Sequence, residues 1–456
     1  MLYRVVRALA RLAVHLFFRR IDVEAPYNVP LAGPILIAAN HTNALVDPLI
    51  ILTAVRRRIT VTAKHALLNN FLLRWIMSAC GVVTFHRQQD VGPGESRREN
   101  LHSLHQCEGI LAGGGAICIF PEGVSHSDSK LRPFRNGASR IALQFVRKRG
   151  NPGRLQIVPA GLLYTAKDRF RSDVWLRFGE PLDVESWLAE NPVAAPIDLT
   201  HLIEQRVATL TINTPTRREQ YLLTWAAEIV ATRGERPKPL GADEQSTAEW
   251  FQLFARLQAG WDWLDRNRPD VPKQLSRRIR AYRKQLRRAG ITPNEVFLQI
   301  NFGRAAFFLL RELELMIIGG PIALFGAINH AVPYLVVKKI ATKLSRDKDH
   351  WASNAIYPSF VVFPFFYLVQ LVAAWLLLPT LWAAVYTIAL PYTGYYAVLY
   401  GDRFQRAFRR ARTFIRFARR PAEQQRLATE GRAIIEEIYR LGKFVEREHE
   451  PVEIVL

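Results

Sequence analysis

The chain has 456 residues, 49% of them hydrophobic, and its 62 Lys and Arg against 40 Asp and Glu leave a net charge of +22. That length holds a full core and more than one domain, and the basic excess implies an anionic partner, either nucleic acid or a phospholipid surface. Long apolar stretches such as Tyr357 to Leu378 argue against nucleic acid and for a membrane, where Lys and Arg gather on the cytoplasmic side.

Residues 1–20, MLYRVVRALARLAVHLFFRR, alternate basic and apolar positions at helical spacing. The uncharged run Leu12 to Phe18 is too short to span a bilayer. It reads as an amphipathic helix in the membrane interface, with Arg4, Arg7, Arg11, Arg19 and Arg20 available to anionic head groups, the alternative being an ordinary helix packed on the next domain. From 21 to 185 short apolar runs alternate with helical patterns, the signature of an α/β unit. The predicted strands are Ile35–Ala39, Ile59–Ala63, Val82–Phe85, Ala116–Phe120, Gln156–Gly161 and Val174–Phe178, with helices at 66–79, 95–112 and 137–149 between them. Cys80, Cys107 and Cys118 make neither a metal spacing nor a disulfide framework, and read as buried thiols in a reducing compartment.

Residues 186–300 are helical in pattern and rich in Arg and Trp. Within them Lys273 to Arg288 is a dense basic run, open to two readings: a solvated helical face or a contact with lipid head groups. Residues 301–402 are predicted to be membrane-embedded. Met316 to Val337 is interrupted by Gly319-Gly320-Pro321, Asn329-His330 and Pro333 and has basic flanks, which predicts a re-entrant or shallow hairpin. Ser353 to Tyr400, with a break near Pro379, is long enough for two crossings of about 20 residues each. The tail 403–456 opens on a basic helical run that belongs on the cytoplasmic side.

The chemistry is concentrated in the stretch Pro34 to Ile50, PILIAANHTNALVDPLI. A β-favouring run delivers Asn40-His41 into a polar turn, and Asp47-Pro48 opens the next apolar segment. An imidazole and a carboxylate thus meet at a strand end where a helix begins. A hydroxyl needs a base to attack at neutral pH, and a histidine held by a carboxylate supplies one. Three blocks follow: Gly81-Val82-Val83-Thr84-Phe85-His86-Arg87, Phe120-Pro121-Glu122-Gly123, and Val158-Pro159-Ala160-Gly161-Leu162.

In order and spacing these blocks resemble the glycerolipid acyltransferase family over roughly residues 25 to 185. The resemblance implies an α/β domain with a mixed sheet flanked by helices, followed by a helical segment and a C-terminal transmembrane region. It implies transfer of a fatty acyl group from an acyl thioester, carried by coenzyme A or acyl carrier protein, to glycerol 3-phosphate or dihydroxyacetone phosphate. A lysophospholipid acceptor is the alternative within the class, and an inactive membrane lipid-binding protein the alternative outside it. His41 would be the general base and Asp47 its orienting partner. Arg87 would contact the acceptor's phosphate, Lys64 stands where the family also carries a basic residue near the acceptor, Glu122 would hydrogen-bond the acceptor's hydroxyls, and Gly123 would let the backbone approach the substrate closely. Ser125 and His126 stand where many members carry an Arg-containing turn, and His126 reads as a phosphate contact or a cap of that turn. Lys130, Arg132 and Arg135 are candidates to replace the missing Arg. No metal site is seen and the chemistry calls for no cofactor. The expected location is a membrane with the catalytic domain on its cytoplasmic face. Five residues separate His41 from Asp47, one more than the commonest family spacing. On one continuous helix the extra residue would rotate Asp47 by about 100°, so either the turn bulges or the helix starts later.

Overall fold

The computed structural model describes residues 2–69, 74, 77, 78, 80–86, 93–148, 153–232, 247–297, 302–345 and 347–448. The chain divides into two compact units, Met1–Asn213 with Val336–Val362 and Thr214–Leu335 with Phe363–Leu456.

In the first unit α1 (Leu2–Phe17) precedes β1 (Arg20–Glu24), β2 (Ile35–Ala39), α2 (Val46–Ala54), β3 (Thr60–Lys64), β4 (Val83–Phe85), α3 (Pro93–Ala112), β5 (Ala116–Ile119), α4 (Gly137–Arg147), β6 (Gln156–Tyr164), β7 (Asp173–Phe178), β8 (Leu182–Asp183), α5 (Val184–Glu190) and α6 (Pro196–Ala208). The strands form one sheet in the order β1-β7-β6-β2-β5-β3-β4, with β8 beside β6. β2 to β6 are mutually parallel, β7 and β8 run antiparallel to β6, and β1 runs parallel to β7. All the predicted strands are present within a residue or a few, and the sheet is mixed as expected. β1 and β8 were not anticipated. Of the helix expected at 66–79, His65–Asn69 is a 3-10 turn, and much of the remainder lies outside the described residues.

Every residue of β2 is buried, as a central strand covered on both faces requires. Leu36 and Ala38 point into a core completed by Leu111 of α3, Ile141 and Phe145 of α4 and Ile203 of α6. α1 buries Val6, Ala10, Val14 and Phe17 and packs on α2. Four of the five arginines assigned to head groups are engaged within the protein. Arg7 donates to Val55 O and Arg11 to Thr53 O at 3.1 Å, capping the end of α2, while Arg19 pairs with Asp173 and Arg20 with Asp22. The helix macrodipole explains the first two, since cations are favoured where the last carbonyls lie open. α1 leaves four large apolar side chains exposed, Leu2, Val5, Leu9 and Leu12, alongside Arg4, Arg11 and His15.

The second unit contains α7 (Arg217–Val230), α8 (Thr247–Asn267), α9 (Asp270–Ala289) and α10 (Pro293–Val296). Three long helices follow in the chain, α11 (Phe302–Leu344), α12 (Lys348–Leu377) and α13 (Thr380–Arg419), and α14 (Pro421–Glu448) closes it. Leu222, Ile229, Ile279, Tyr282, Leu286 and Ile434 share a core there with Phe417 of α13. Two segments, Met316–Leu344 and Asp349–Leu377, are long and apolar enough to cross a membrane.

The hairpin expected at Met316–Val337 is instead part of the continuous α11, with Pro321 and Pro333 inside it. Glycines of this helix, Gly319 of the predicted break among them, serve close packing. A Cβ on Gly326 would stand 2.0 Å from Thr393 O, and one on Gly319 would stand 2.2 Å from Tyr396 Oη. Small residues let apolar helices approach closely. Asn329 and His330 are likewise absorbed. His330 Nδ1 lies 2.7 Å from Gly326 O and Nε2 2.7 Å from Tyr367 Oη, while Tyr386 donates to Asn329 Oδ1 at 2.6 Å. The break at Pro379 is present, immediately before α13.

Candidate active site

Because β2, β3, β4 and β5 are parallel, the loops leaving their carboxyl ends share one edge of the sheet, where open α/β sheets collect ligands. His41 follows β2, Lys64 ends β3, and Glu122 follows β5. Asn40 fixes the end of β2: its amide donates to Leu162 O at 3.0 Å and accepts from Leu162 N at 2.7 Å, continuing the ladder with β6 through a side chain.

The turn that follows resolves the spacing question in both ways at once. α2 begins only at Val46, so Asp47 lies in its first turn, and Ala44 takes a positive φ of 29°. This bulge brings Asp47 back toward the loop. Asp47 Oδ2 is 2.9 Å from His41 Nδ1 and accepts from Thr42 N and Asn43 N at 2.7 Å each. Its other oxygen accepts from Tyr164 Oη at 2.5 Å. The carboxylate is fully buried and the imidazole keeps 15% of its surface. With Nδ1–H donating to Asp47, the lone pair of Nε2 is left as the basic site. Phe120 stacks on the ring at 4.4 Å between centroids, which limits its rotation. Ser353 Oγ accepts from Leu45 N at 3.1 Å and Tyr357 Oη donates to Leu45 O at 3.3 Å, so the N-terminal part of α12 holds the same turn.

Glu122 is committed to this loop. Its Oε1 accepts from His41 N at 2.6 Å, and its Oε2 accepts from Arg132 N at 3.0 Å and from His126 Nε2. His126 Nδ1 accepts from Asp128 N at 3.1 Å, so the proton sits on Nε2, and His126 N donates to His41 O at 3.2 Å. Both side chains are almost wholly buried. The role implied for Glu122, contact with acceptor hydroxyls, therefore meets a carboxylate already accepting three internal bonds. His126 caps the turn and ties it to His41.

Gly123 has φ of +71°, which a side chain would resist, and the Arg135 side chain lies where a Cβ would be, with Nε 3.0 Å away. Arg132 pairs with Asp128 at 2.7 Å, Lys130 and Arg135 are exposed, and Ser125 is half-buried in the same turn. Arg87 lies outside the described residues. Beside it in sequence, His86 stacks on His65 with ring centroids 3.9 Å apart at the ends of β4 and β3.

Tyr164 had no signal as a site residue, because an apolar strand pattern reports burial and not what a side chain faces, while Phe120 and His86 stood in the sequence blocks without a role of their own and His65 outside them. Burial, and after it the charge of Asp47 and the bond to it, hold the Tyr164 hydroxyl well above the ordinary phenol range. Burial likewise pushes the Cys107 thiol up to about 12, and the Cys118 thiol is raised by burial and then by Asp47. Neither is poised as a nucleophile. Among the described residues no group of His, Cys, Asp and Glu is arranged to hold a metal ion.

Known proteins resemble this chain in the same region. The Acyltransferase family model matches residues 20–162. Glycerol-3-phosphate O-acyltransferase 1 of Saccharomyces cerevisiae is 23% identical over 439 aligned residues, covering 76% of this chain and 56% of its own length. A probable 1-acyl-sn-glycerol-3-phosphate acyltransferase of Mycoplasma pneumoniae is 29% identical over 145 residues, covering 31% of this chain and 51% of its own. The chain thus spans about half the length of these curated relatives. The crystal structure of the 1-acyl-sn-glycerophosphate acyltransferase PlsC from Thermotoga maritima aligns with a TM-score of 0.35 and 20% identity, over 45% of this chain and 77% of that one. Residues 20–162, which carry the His41–Asp47 pair, are a domain of the acyltransferase family.

Proposed function

We propose that the protein is a membrane-bound O-acyltransferase that esterifies glycerol 3-phosphate with a fatty acyl group from a thioester. The observation that carries this reading is the His41–Asp47 pair, in which a buried carboxylate accepts four hydrogen bonds and fixes the imidazole. His41 Nε2 removes the proton as the acceptor oxygen bonds to the acyl carbon. The carbon–sulfur bond then breaks, and the leaving thiolate takes the proton back from Nε2. No acyl-enzyme is needed when both substrates are held together. Thr42 Oγ1 and both amide atoms of Asn43 are buried beside His41 without a hydrogen-bond partner among the described residues. Such unused capacity suits a polar substrate. Lys64 and Arg135, at the ends of the neighbouring strand and turn, supply cations for a phosphate dianion.

The glycerol 3-phosphate assignment is supported by the yeast relative, whose alignment runs over most of this chain, whereas the 1-acylglycerol-3-phosphate relative covers about a third. Membrane association is supported by α11 and α12. In the most apolar window of Met316–Leu344 only 22% is buried, and in that of Asp349–Leu377 only 6%, which is not how the core helix of a soluble domain is covered. The outer face of α1 adds an apolar interfacial contact.

The test is thiol release from palmitoyl-coenzyme A by the detergent-purified chain, offered glycerol 3-phosphate, dihydroxyacetone phosphate or lysophosphatidate in turn. Release that needs glycerol 3-phosphate and disappears in His41→Ala is expected. A His41→Ala variant as active as the native chain would sink the mechanism, and a preference for lysophosphatidate would move the enzyme to the second acylation.

A further inference from the structure

The basic run Lys273–Arg288 takes no part in the site above. α9 buries Leu275, Ile279, Tyr282, Leu286 and Ala289 in the helical core. The helical period then gathers Arg280, Arg283, Lys284, Arg287 and Arg288 along one outward side. Trp225 of α7 stands beside them, with the guanidinium carbons of Arg283 and Arg287 at 5.6 and 5.8 Å from its ring centroid. These six residues line a hollow of about 320 Å³.

An ordinary solvated face interleaves acids with bases at helical spacing. Here Arg280 and Lys284, Arg283 and Arg287, and Lys284 and Arg288 are like charges four residues apart, a spacing at which they repel. Among the described residues one acid forms an ion pair with them, Glu228, which pairs with Arg283. Other acceptors near α9 are spent elsewhere, Glu437 on Arg278 and Glu430 on Gln285. Nor do the cations hang free. Arg280 is held by Ser276, Nε to the carbonyl at 2.9 Å and Nη2 to the hydroxyl at 2.7 Å, and two others rest on the indole. A concave set of oriented cations short of counter-charge is the form of an anion site. Guanidinium forks match the oxygens of a phosphate ester.

We propose that the hollow between α7 and α9 binds a phosphate ester carrying two or more negative charges. An anionic phospholipid head group and a soluble phosphorylated metabolite share this chemistry. The site requires no acyl transfer, so its test stands apart from the proposed activity.

The full chain in zwitterionic detergent is titrated calorimetrically with inorganic pyrophosphate, with dihexanoyl phosphatidate and with dihexanoyl phosphatidylcholine. The native chain is compared with the double variant Lys284→Gln/Arg287→Gln. Both positions are exposed, and an unchanged circular dichroism melt shows that the variant folds. Pyrophosphate or phosphatidate binding that weakens by about tenfold or more in the variant, and in 0.5 M NaCl, is expected, with phosphatidylcholine silent. Binding of phosphatidate alone assigns the site to a head group, and binding of pyrophosphate alone assigns it to a soluble ligand. No binding of either anion, or equal binding by native chain and variant, overturns the proposal.

Discussion

Tyr164 is the residue on which the His41–Asp47 pair leans from farthest along the chain. Its hydroxyl bonds a carboxylate 117 positions earlier in the chain, in a place where water does not reach. Removing a hydrogen bond to a buried charged group costs about 1.5–3 kcal/mol, which corresponds to roughly tenfold to a hundredfold in rate. Tyr164→Phe is therefore expected to lower kcat by that range with KM for the acceptor nearly unchanged, as steady-state kinetics would show. The raised pKa fixes the sign of the pH dependence. The neutral phenol is the form favoured in the folded state, so its stabilisation is complete below the ordinary phenol value of about 10 and is lost only as pH climbs through the higher folded value. Denaturation titrations from pH 6 to 9 should give the same difference between Tyr164→Phe and the native chain throughout. At this scale the sequence exposed His41 and Asp47 through their spacing and the blocks around them. It could not expose Tyr164 or the engagement of Glu122, because both arise from strands and turns brought together across the sheet.

Among the elements, β6 shows how a motif can be visible while its use is not. The block Val158–Leu162 reads either, by the family resemblance, as a lining for the acyl chain or thioester side, or as a buried core strand with a bend. In the fold Pro159 falls between the residues paired with β8, Gln156 and Ile157, and those paired with β7, which begin at Ala160. On that side no paired residue asks for the missing N–H, while on the other Pro159 stays in register with Ala38 of β2. Gly161 is where the chain after α6 crosses closely, since a Cβ would stand 2.2 Å from Leu210 O. The obstacle is backbone and cannot rotate aside. Gly161→Ala is expected to destabilise by about 1–3 kcal/mol, the range for overpacking a core, read as a lower midpoint of thermal unfolding. β1 escaped notice because its sequence, RIDVE, places charges on a half-exposed edge strand. α11 was mistaken for a hairpin because Gly and Pro are strong break signals in water. Between apolar helices the same glycines permit contact.

For the molecule as a whole, the net charge of +22 led to an anionic partner, and the fold shows that part of it is spent indoors. Arg57 donates to the carbonyls of Pro30, Gly33 and Gly114, Arg171 to those of His15, Leu16 and Phe18, and Arg416 to that of Ala289. Composition counts such arginines with those that face a ligand, and only coordinates separate them. Nor does linear order follow the units: the first needs Val336–Val362 from far along the chain. A fragment ending at Asn213 lacks Ser353 and Tyr357. It is expected to turn over at least about tenfold more slowly than the full chain even where circular dichroism shows it folded, because the loop of His41 would lose its fixed position. Equal turnover by the fragment would show the tethers to be dispensable. The two bonds from α12 to Leu45 join residues 308 and 312 positions apart. On the ribosome, the loop that bears His41 therefore waits for these two supports until the polypeptide has been made through Tyr357. A nascent chain that stalls before Ser353 thus carries the His41 turn without either of these two tethers, whatever the state of the sheet beneath it.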